Sequence, residues 1–62
     1  MKRMKYKYVV EMAYVDNDND SIKIEYVETL SYSAHDAQRE AIDYIERFTY
    51  VGQVTVITVT RQ

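Results

Sequence analysis

Apolar and polar side chains alternate along the first part of the chain. The even positions of residues 4–14 carry only methionine, tyrosine and valine, whereas the odd positions include lysine, glutamate and alanine. A period of two residues is typical of a β-strand with one buried face. The pattern therefore predicts a first strand whose even-numbered side chains, including Tyr6, Tyr8 and Tyr14, point into the core.

A polar turn at residues 16–21 separates this strand from a second one. Its aspartate and asparagine residues tolerate turn conformations, and the short spacing predicts an antiparallel hairpin. We expect Tyr14 to pair with Ile24, which places Glu11 opposite Val27. A slip of two residues would instead place two glutamates opposite each other, which is unfavourable. The expected inward row of the second strand is Ile22, Ile24, Tyr26 and Leu30.

The helix signal begins at Ser33. Ser33 followed by Asp36 matches the capping pattern of a helix start, with aspartate in place of the usual glutamate. Apolar residues then recur at spacings of three and four, which predicts an amphipathic helix of about four turns. Gly52 interrupts this run, and residues 54–60 are predicted to form a third strand. The apolar stripe of the helix is Ala34, Ala37, Ala41, Ile45 and Phe48.

The order of the predicted elements is β-β-α-β, which indicates a single α+β domain over residues 1–62. We expect a three-stranded antiparallel sheet with strand 1 in the centre and one helix packed on one face. The third strand carries β-branched apolar residues on both of its faces. Since one helix covers only one face of a sheet, the other face should meet a second subunit or irregular chain.

Chain length makes self-association the expected source of extra stability. A domain of 62 residues buries only about 60% of its unfolded surface, so a lone copy is marginal. Disulfides and thiolate metal sites are excluded because cysteine is absent, and His35 has no histidine partner. We therefore expect a homodimer with no cofactor and no metal. No apolar run approaches the roughly 20 residues of a membrane span, so a cytoplasmic location is expected.

Charge is distributed unevenly along the chain. Lys2, Arg3, Lys5 and Lys7 carry all the charge of the first seven residues, whereas ten acidic residues stand against four basic ones from position 8 onward. An acidic body repels nucleic acid and attracts proteins that bind nucleic acid. Such charges also serve solubility in most small domains, so composition alone does not decide between the two roles.

Catalysis is poorly supported, and the protein is not expected to be an enzyme. A nucleophile needs a base within hydrogen-bond reach, and His35 is the only imidazole. Asp16, Asp18 and Asp20 copy the first three ligand positions of an EF-hand loop, but Val27 stands where that loop requires its bidentate glutamate. Calcium binding by this turn is left open as an alternative to a solvated hairpin turn.

Nucleic-acid binding through the basic first strand is the main alternative function. Lys5 and Lys7 alternate with Tyr6 and Tyr8, and stacking aromatics among basic residues are typical of single-strand binding. Strand alternation, however, directs the tyrosines to the face opposite the lysines. Rings and charges therefore cannot serve one ligand strand together.

The segment from the second strand into the helix resembles one known family. The shared features are a tyrosine-containing first strand, an acidic turn, Glu25-Tyr26, and Leu30-Ser31-x-Ser33 leading into a helix with Asp36 in its first turn. The element order and the expected dimer also agree. On these features the chain resembles the small dimeric uracil-DNA glycosylase inhibitors of Bacillus phages over most of its length; after Phe48 only the element type matches.

This resemblance implies a homodimer that imitates DNA. The family holds a protruding hydrophobic side chain of the glycosylase in a pocket between subunits, while carboxylates contact the enzyme's DNA-binding surface. By position, Glu25 and Asp36 match the acids of that surface. His35 falls where the family has a pocket-lining Phe and Arg39 near where it has a Tyr, and Tyr32 or Tyr44 could replace these aromatics. The expected partner-binding residues are Glu25, Glu28, Tyr32, His35, Asp36 and Arg39.

The sequence thus favours a protein inhibitor of a DNA-processing enzyme, most specifically a uracil-DNA glycosylase. The alternatives are a small nucleic-acid-binding module and a phage or bacterial accessory protein whose partner the sequence does not name.

Overall fold

A computed structural model describes residues 3–62, so Lys2 of the basic segment lies outside the described residues. The elements are β1 (Tyr6–Asp16), β2 (Ser21–Ser31), α1 (Ala34–Ile45) and β3 (Val51–Arg61). The three strands form one sheet in the order β2-β1-β3, and β1 is antiparallel to both neighbours. The predicted α+β fold with strand 1 in the centre is therefore confirmed.

The core lies between β1 and α1. The even-numbered side chains of β1 from Tyr8 onward are buried, as the alternation predicted, and those of Tyr8 to Tyr14 pack against three small or branched side chains of the helix. Tyr6 is only partly buried, and Met4, which the pattern also placed inward, lies before β1 and is exposed. Alanines at two of these helix positions let the helix backbone approach the sheet closely, because an alanine side chain ends at Cβ. The buried residues of the core cluster are Tyr8, Val10, Met12, Tyr14, Ala37, Ala41 and Ile45.

The predicted register of the hairpin is wrong by one residue. The structure pairs Tyr14 with Lys23 and Glu11 with Tyr26. The turn explains the difference, because Asp16 already pairs with Ser21 and the loop between them is short. The Asp16 carboxylate accepts hydrogen bonds from the N–H groups of residues 18 and 19 at 3.0 and 3.3 Å, which closes the loop at this point.

This one-residue difference exchanges the two faces of β2. Val27 pairs with the buried Val10 and lies on the helix side of the sheet. The apolar row that was expected to point inward is instead exposed on the opposite side, and the expectation for Tyr26 is wrong for the same reason. The exposed row comprises Ile22, Ile24, Tyr26 and Leu30.

The helix begins as predicted and ends earlier. Ser33 is the N-cap, and its side-chain oxygen accepts a hydrogen bond from the Asp36 N–H at 3.2 Å. The helix has 12 residues and ends at Ile45, which gives about three turns in place of four. Phe48 lies beyond it, with its ring centre 5.9 Å from that of Tyr44 and 5.6 Å from that of Tyr50. Phe48 therefore packs against these two rings, and its predicted position on the apolar stripe of the helix is wrong.

The third strand begins three residues before its predicted start. Gly52 lies inside β3, where a Cβ atom would come within 2.9 Å of the Asn17 Oδ1. This close approach explains why position 52 is a glycine. The strand itself is not interrupted there. The pairing of β3 with β1 shifts register twice, between Glu11 and Met12 and between Tyr14 and Asp16. The first shift leaves Ile57 without a pairing partner on β1, and its side chain is exposed.

Removal of the Ser33 cap should destabilise the fold. Ser33→Ala leaves the Asp36 N–H without its side-chain acceptor, so we expect the free energy of unfolding to fall by about 1 kcal/mol. Ser33→Asp is the matched control, because aspartate caps as well as serine does and should retain most of the stability. Urea unfolding followed by circular dichroism measures both, and equal losses in the two variants would contradict the assigned cap.

Candidate functional site

A groove runs between the outer edge of β2 and the helix. Its volume is about 480 Å³, and acidic side chains enter it from both elements. Two tyrosines and a valine supply apolar surface within it. The lining residues are Glu25, Tyr26, Val27, Glu28 and Thr29 from the strand side, and Glu40, Tyr44 and Arg47 from the helix side.

A second, smaller depression adjoins this groove on the helix. Its volume is about 180 Å³, and it is lined by Asp36, Arg39, Glu40 and Asp43. The three acids lie at spacings of four and three residues and therefore share one helical face. Glu40 lines both depressions and joins them into one region. We call this region the acidic surface, defined by the carboxylates of Glu25, Glu28, Asp36, Glu40 and Asp43.

The position of Glu40 is set by a contact between the helix and β2. Ser31 is buried, and its hydroxyl donates a hydrogen bond to the Glu40 carboxylate. The same hydroxyl lies 3.1 Å from the Thr29 hydroxyl oxygen. A carboxylate held in this way loses little side-chain freedom when a partner binds, because part of that freedom is already lost in the fold.

The structure places Glu25 and Glu28 at the groove, although they point to opposite faces of the sheet. Glu25 pairs with Met12 on the helix side, whereas Glu28 pairs with Val9 on the other side. Both reach the groove because β2 is an edge strand. The Glu28 carboxylate also lies 3.6 Å from the Lys7 Nζ, and both side chains of this pair are exposed.

The other four predicted site residues lie near the start of the helix. Asp36 and Arg39 line the smaller depression. His35 is exposed and lines neither depression. Tyr32 lies beneath two cations, with the Arg3 guanidinium carbon 4.4 Å and the Lys5 Nζ 5.2 Å from its ring centre. Of the six predicted residues, two therefore line the groove, two line the smaller depression and Tyr32 contacts the basic segment, whereas His35 lies apart from all three.

Of the eight residues that line the groove, only Glu25 and Glu28 were among the predicted site residues. Glu40 was grouped with the acids of the helix but was not chosen as a site residue, although its spacing of four from Asp36 was a usable signal. Tyr44 was considered only as a replacement for a pocket aromatic of the family, and Arg47 carried no signal, because their place in the groove depends on where the helix lies against β2. The Arg47 guanidinium carbon lies 5.9 Å from the Tyr44 ring centre.

The described part of the basic segment is engaged with the rest of the chain. Arg3 and Lys5 contact the Tyr32 ring, and Lys7 pairs with Glu28. Tyr8 is buried on the helix side of the sheet, opposite Lys7. The separation of ring and charge that strand alternation predicted is therefore present at this pair.

The aspartate turn is organised around Asp16. Its carboxylate is buried, accepts a hydrogen bond from the Asn19 side chain at 3.1 Å, and lies 3.7 Å from the Lys23 Nζ. Burial alone would raise the pKa of Asp16, but the hydrogen bonds from residues 18 and 19 and the charge of Lys23 outweigh it and lower the pKa. Within residues 3–62 no group of three His, Cys, Asp or Glu side chains is placed to hold a metal ion.

Comparisons with models of known protein families, with curated proteins and with solved structures found no match to this chain. Over the described part of the chain, no helix has the length and apolar character needed to cross a membrane.

Asp16 should make the stability of the fold depend on pH. Because its pKa in the folded state is lowered from the ordinary 3.8, the ionised carboxylate stabilises the fold above that pH. This contribution is lost as the pH falls through the folded-state pKa. Asp16→Asn should therefore be less stable than the parent at pH 7, and the difference should disappear in strong acid.

Urea unfolding midpoints between pH 2 and pH 7 measure this difference. Asp18→Asn is the matched control, since it removes one negative charge from the same turn at an exposed position. A difference for Asp16→Asn that stayed constant across the pH range would rule out the proposed role of the ionised carboxylate.

Proposed function

We propose that the protein is an inhibitor that binds a DNA-processing enzyme, most specifically a uracil-DNA glycosylase, and occupies its DNA-binding surface. The observation that carries the proposal is the acidic surface, where carboxylates from a strand and a helix surround one groove with aromatic walls. Inhibition is by occupancy, so no bond is made or broken. The chain acts in this proposal as a homodimer.

The charge of the acidic surface supports attraction to a basic partner. Its five carboxylates are accompanied in the two depressions by only two cations, Arg39 and Arg47. Asp36, Glu40 and Asp43 rise along the helix in steps of about 6 and 4.5 Å. This row is sparser than a DNA strand, which carries one phosphate per ~3.4 Å, but it has the same sign and a similar linear form. Such a field speeds encounter with a surface built to bind DNA.

The groove supplies the apolar surface that the binding site needs in addition to its charge. Tyr26, Val27 and Tyr44 present apolar surface beside Glu25 and Glu40. A volume of about 480 Å³ has room for a protruding side chain of the enzyme. Burial of such an anchor in a desolvated slot is the usual source of most binding energy in an interface. Tyr32 and His35 stay in the proposal as contacts at the start of the helix, beyond the groove.

Nucleic-acid binding by the basic segment is the competing function. The contacts of Arg3 and Lys5 with Tyr32 and of Lys7 with Glu28 occupy these cations within the chain. A gel shift with short DNA at low salt separates the two functions. Retardation that fades with added salt would favour the nucleic-acid-binding module.

Neutralising the acidic surface should weaken inhibition. Glu25→Gln with Asp43→Asn removes two negative charges, one from each side of the region, with little change in side-chain shape. We expect the concentration needed for half-inhibition of a uracil-DNA glycosylase to rise at least tenfold, or about 1.4 kcal/mol. The gap between parent and variant should narrow at high salt, because salt screens the exposed charges.

The turn offers a control with the same loss of charge. Asp18→Asn with Asp20→Asn also removes two carboxylates, and asparagine tolerates the positive φ of 53° at position 20. This control should inhibit as the parent does. Equal loss of inhibition in both double variants would assign the effect to net charge, and absence of inhibition by the parent would exclude the enzyme named here.

A further inference from the structure

The face of the sheet opposite α1 is uncovered and apolar. We call it the open face; it is formed by the even-numbered side chains of β2, the odd-numbered ones of β1 and their neighbours on β3. The four large apolar side chains of β2 are between 50% and 75% exposed, and they form one row that only Glu28 interrupts, which is unusual for an uncovered strand. They are Ile22, Ile24, Tyr26 and Leu30.

Charges on the open face have partners within the chain. The Glu11 carboxylate, near the centre, accepts hydrogen bonds from the Tyr26 hydroxyl at 3.1 Å and the Thr58 hydroxyl at 3.3 Å. Lys7 and Glu28 form an ion pair towards one end. Hydrogen bonds already formed lower the cost of taking these groups out of water, so the face can be covered at a moderate penalty.

The open face has a ridge on one side and a trough on the other. The ridge is the row of large side chains on β2. The cross-strand row that contains Ile24 continues through Ala13 on β1 to Thr55 on β3, so side-chain size falls across the sheet. Next to the ridge lies a depression of about 230 Å³, which is lined in part by Ala13, Gln53 and Thr55.

We propose that a second copy of this chain docks on the open face, with a two-fold axis parallel to the strands. Rotation about that axis lays β2 of one copy over β3 of the other, so each ridge fills the partner's trough. Self-complementary surfaces of this kind are what a two-fold dimer requires. The result is a β-sandwich with its sheets about 10 Å apart and its helices outside.

The area of the open face is large enough for an interface with a second copy of the chain. Each strand has 11 residues; at about 3.3 Å per residue and 4.8 Å between strands, the sheet covers about 500 Å². Two such faces bury about 1,000 Å² in total, which is the lower bound for a specific interface. Dimerisation should therefore be reversible and depend on concentration.

This arrangement deepens the dimer part of the proposed function but does not depend on inhibition. The β2 edges of the two copies lie on opposite sides of the sandwich. Each copy therefore presents the helix-side carboxylates of its own acidic surface, and the dimer has two separate binding sites. The pocket between subunits that the family resemblance implied is absent from this arrangement.

Sedimentation of the full chain over a range of concentrations tests whether the open face forms a dimer interface. We expect the parent to shift from the 7.4 kDa chain to twice that mass as concentration rises. Ile24→Lys should abolish the shift, whereas Thr49→Lys, which adds the same charge at an exposed site outside the sheet, should not. Circular dichroism confirms that each variant is folded. A parent that stays monomeric at its highest soluble concentration, or an Ile24→Lys variant that dimerises normally, would overturn the proposal.

Cross-linking tests the direction of the axis, and the absence of cysteine makes each introduced thiol unique. With the axis parallel to the strands, Ile24 of one copy faces the partner's Thr55. A short bis-maleimide should therefore link Ile24→Cys to Thr55→Cys in a mixture at least tenfold more than it links Ile24→Cys to itself. Preferential self-linking of Ile24→Cys would show that β2 stacks on β2 and would overturn this axis.

Glu11 supplies a second test of the interface. With the axis along β1, the two Glu11 carboxylates approach each other at the centre of the interface, and like charges there oppose association. Glu11→Gln should tighten the dimer several-fold. Unchanged or weaker dimerisation of this variant would contradict the arrangement. The Glu25→Gln, Asp43→Asn variant should dimerise as the parent does, so failure of the dimer and failure of inhibition are distinguishable.

Discussion

The turn at Asp16 determines which residues every other surface of the molecule presents. Its carboxylate accepts hydrogen bonds from the N–H groups of residues 18 and 19 and thereby closes a short loop onto Ser21. Because side chains alternate along a strand, this closure decides which half of β2 lies under the helix. Val27 joins the core, and Tyr26 goes to the opposite side, where it donates a hydrogen bond to Glu11.

The acidic surface depends on the fit between the helix and β2. Ala37 and Ala41 allow the helix to lie close to the sheet, and the bond from Ser31 to Glu40 connects it to the edge strand. Acids that are far apart in sequence, such as Glu25 and Glu40, therefore line one groove. The grouping is a product of packing, since no short segment of the chain contains it.

The two surfaces used in the proposals lie mainly on opposite sides of the same sheet and share Tyr26 and Glu28 of the edge strand. The acidic surface occupies the helix side and the outer edge of β2, and the open face lies on the reverse. A second copy therefore covers the apolar row, including Tyr26, and approaches Glu28, while the groove residues on the helix side stay uncovered. This separation gives a chain of marginal size a way to gain stability while its charged surface stays available to a partner.

The sequence by itself determined the features that depend on local periodicity. The alternation of residues 4–14 identified the buried face of β1, the spacing of Ala37, Ala41 and Ile45 identified the helix, and the Ser33 cap marked its start. Each of these signals is carried by residues a few positions apart. The β-β-α-β order then allowed the central position of strand 1 to be predicted as well.

Only the tertiary structure decided the hairpin register, the end of the helix and the membership of the groove. Register depends on how the Asp16 turn closes, and a shift of one residue leaves the period of two unchanged in the sequence. Phe48 lies outside the helical stripe because it packs against two tyrosine rings, a contact that the periodicity of the sequence does not indicate. Tyr44 and Arg47 reach the groove through the position of the helix on the sheet, which is set by long-range packing.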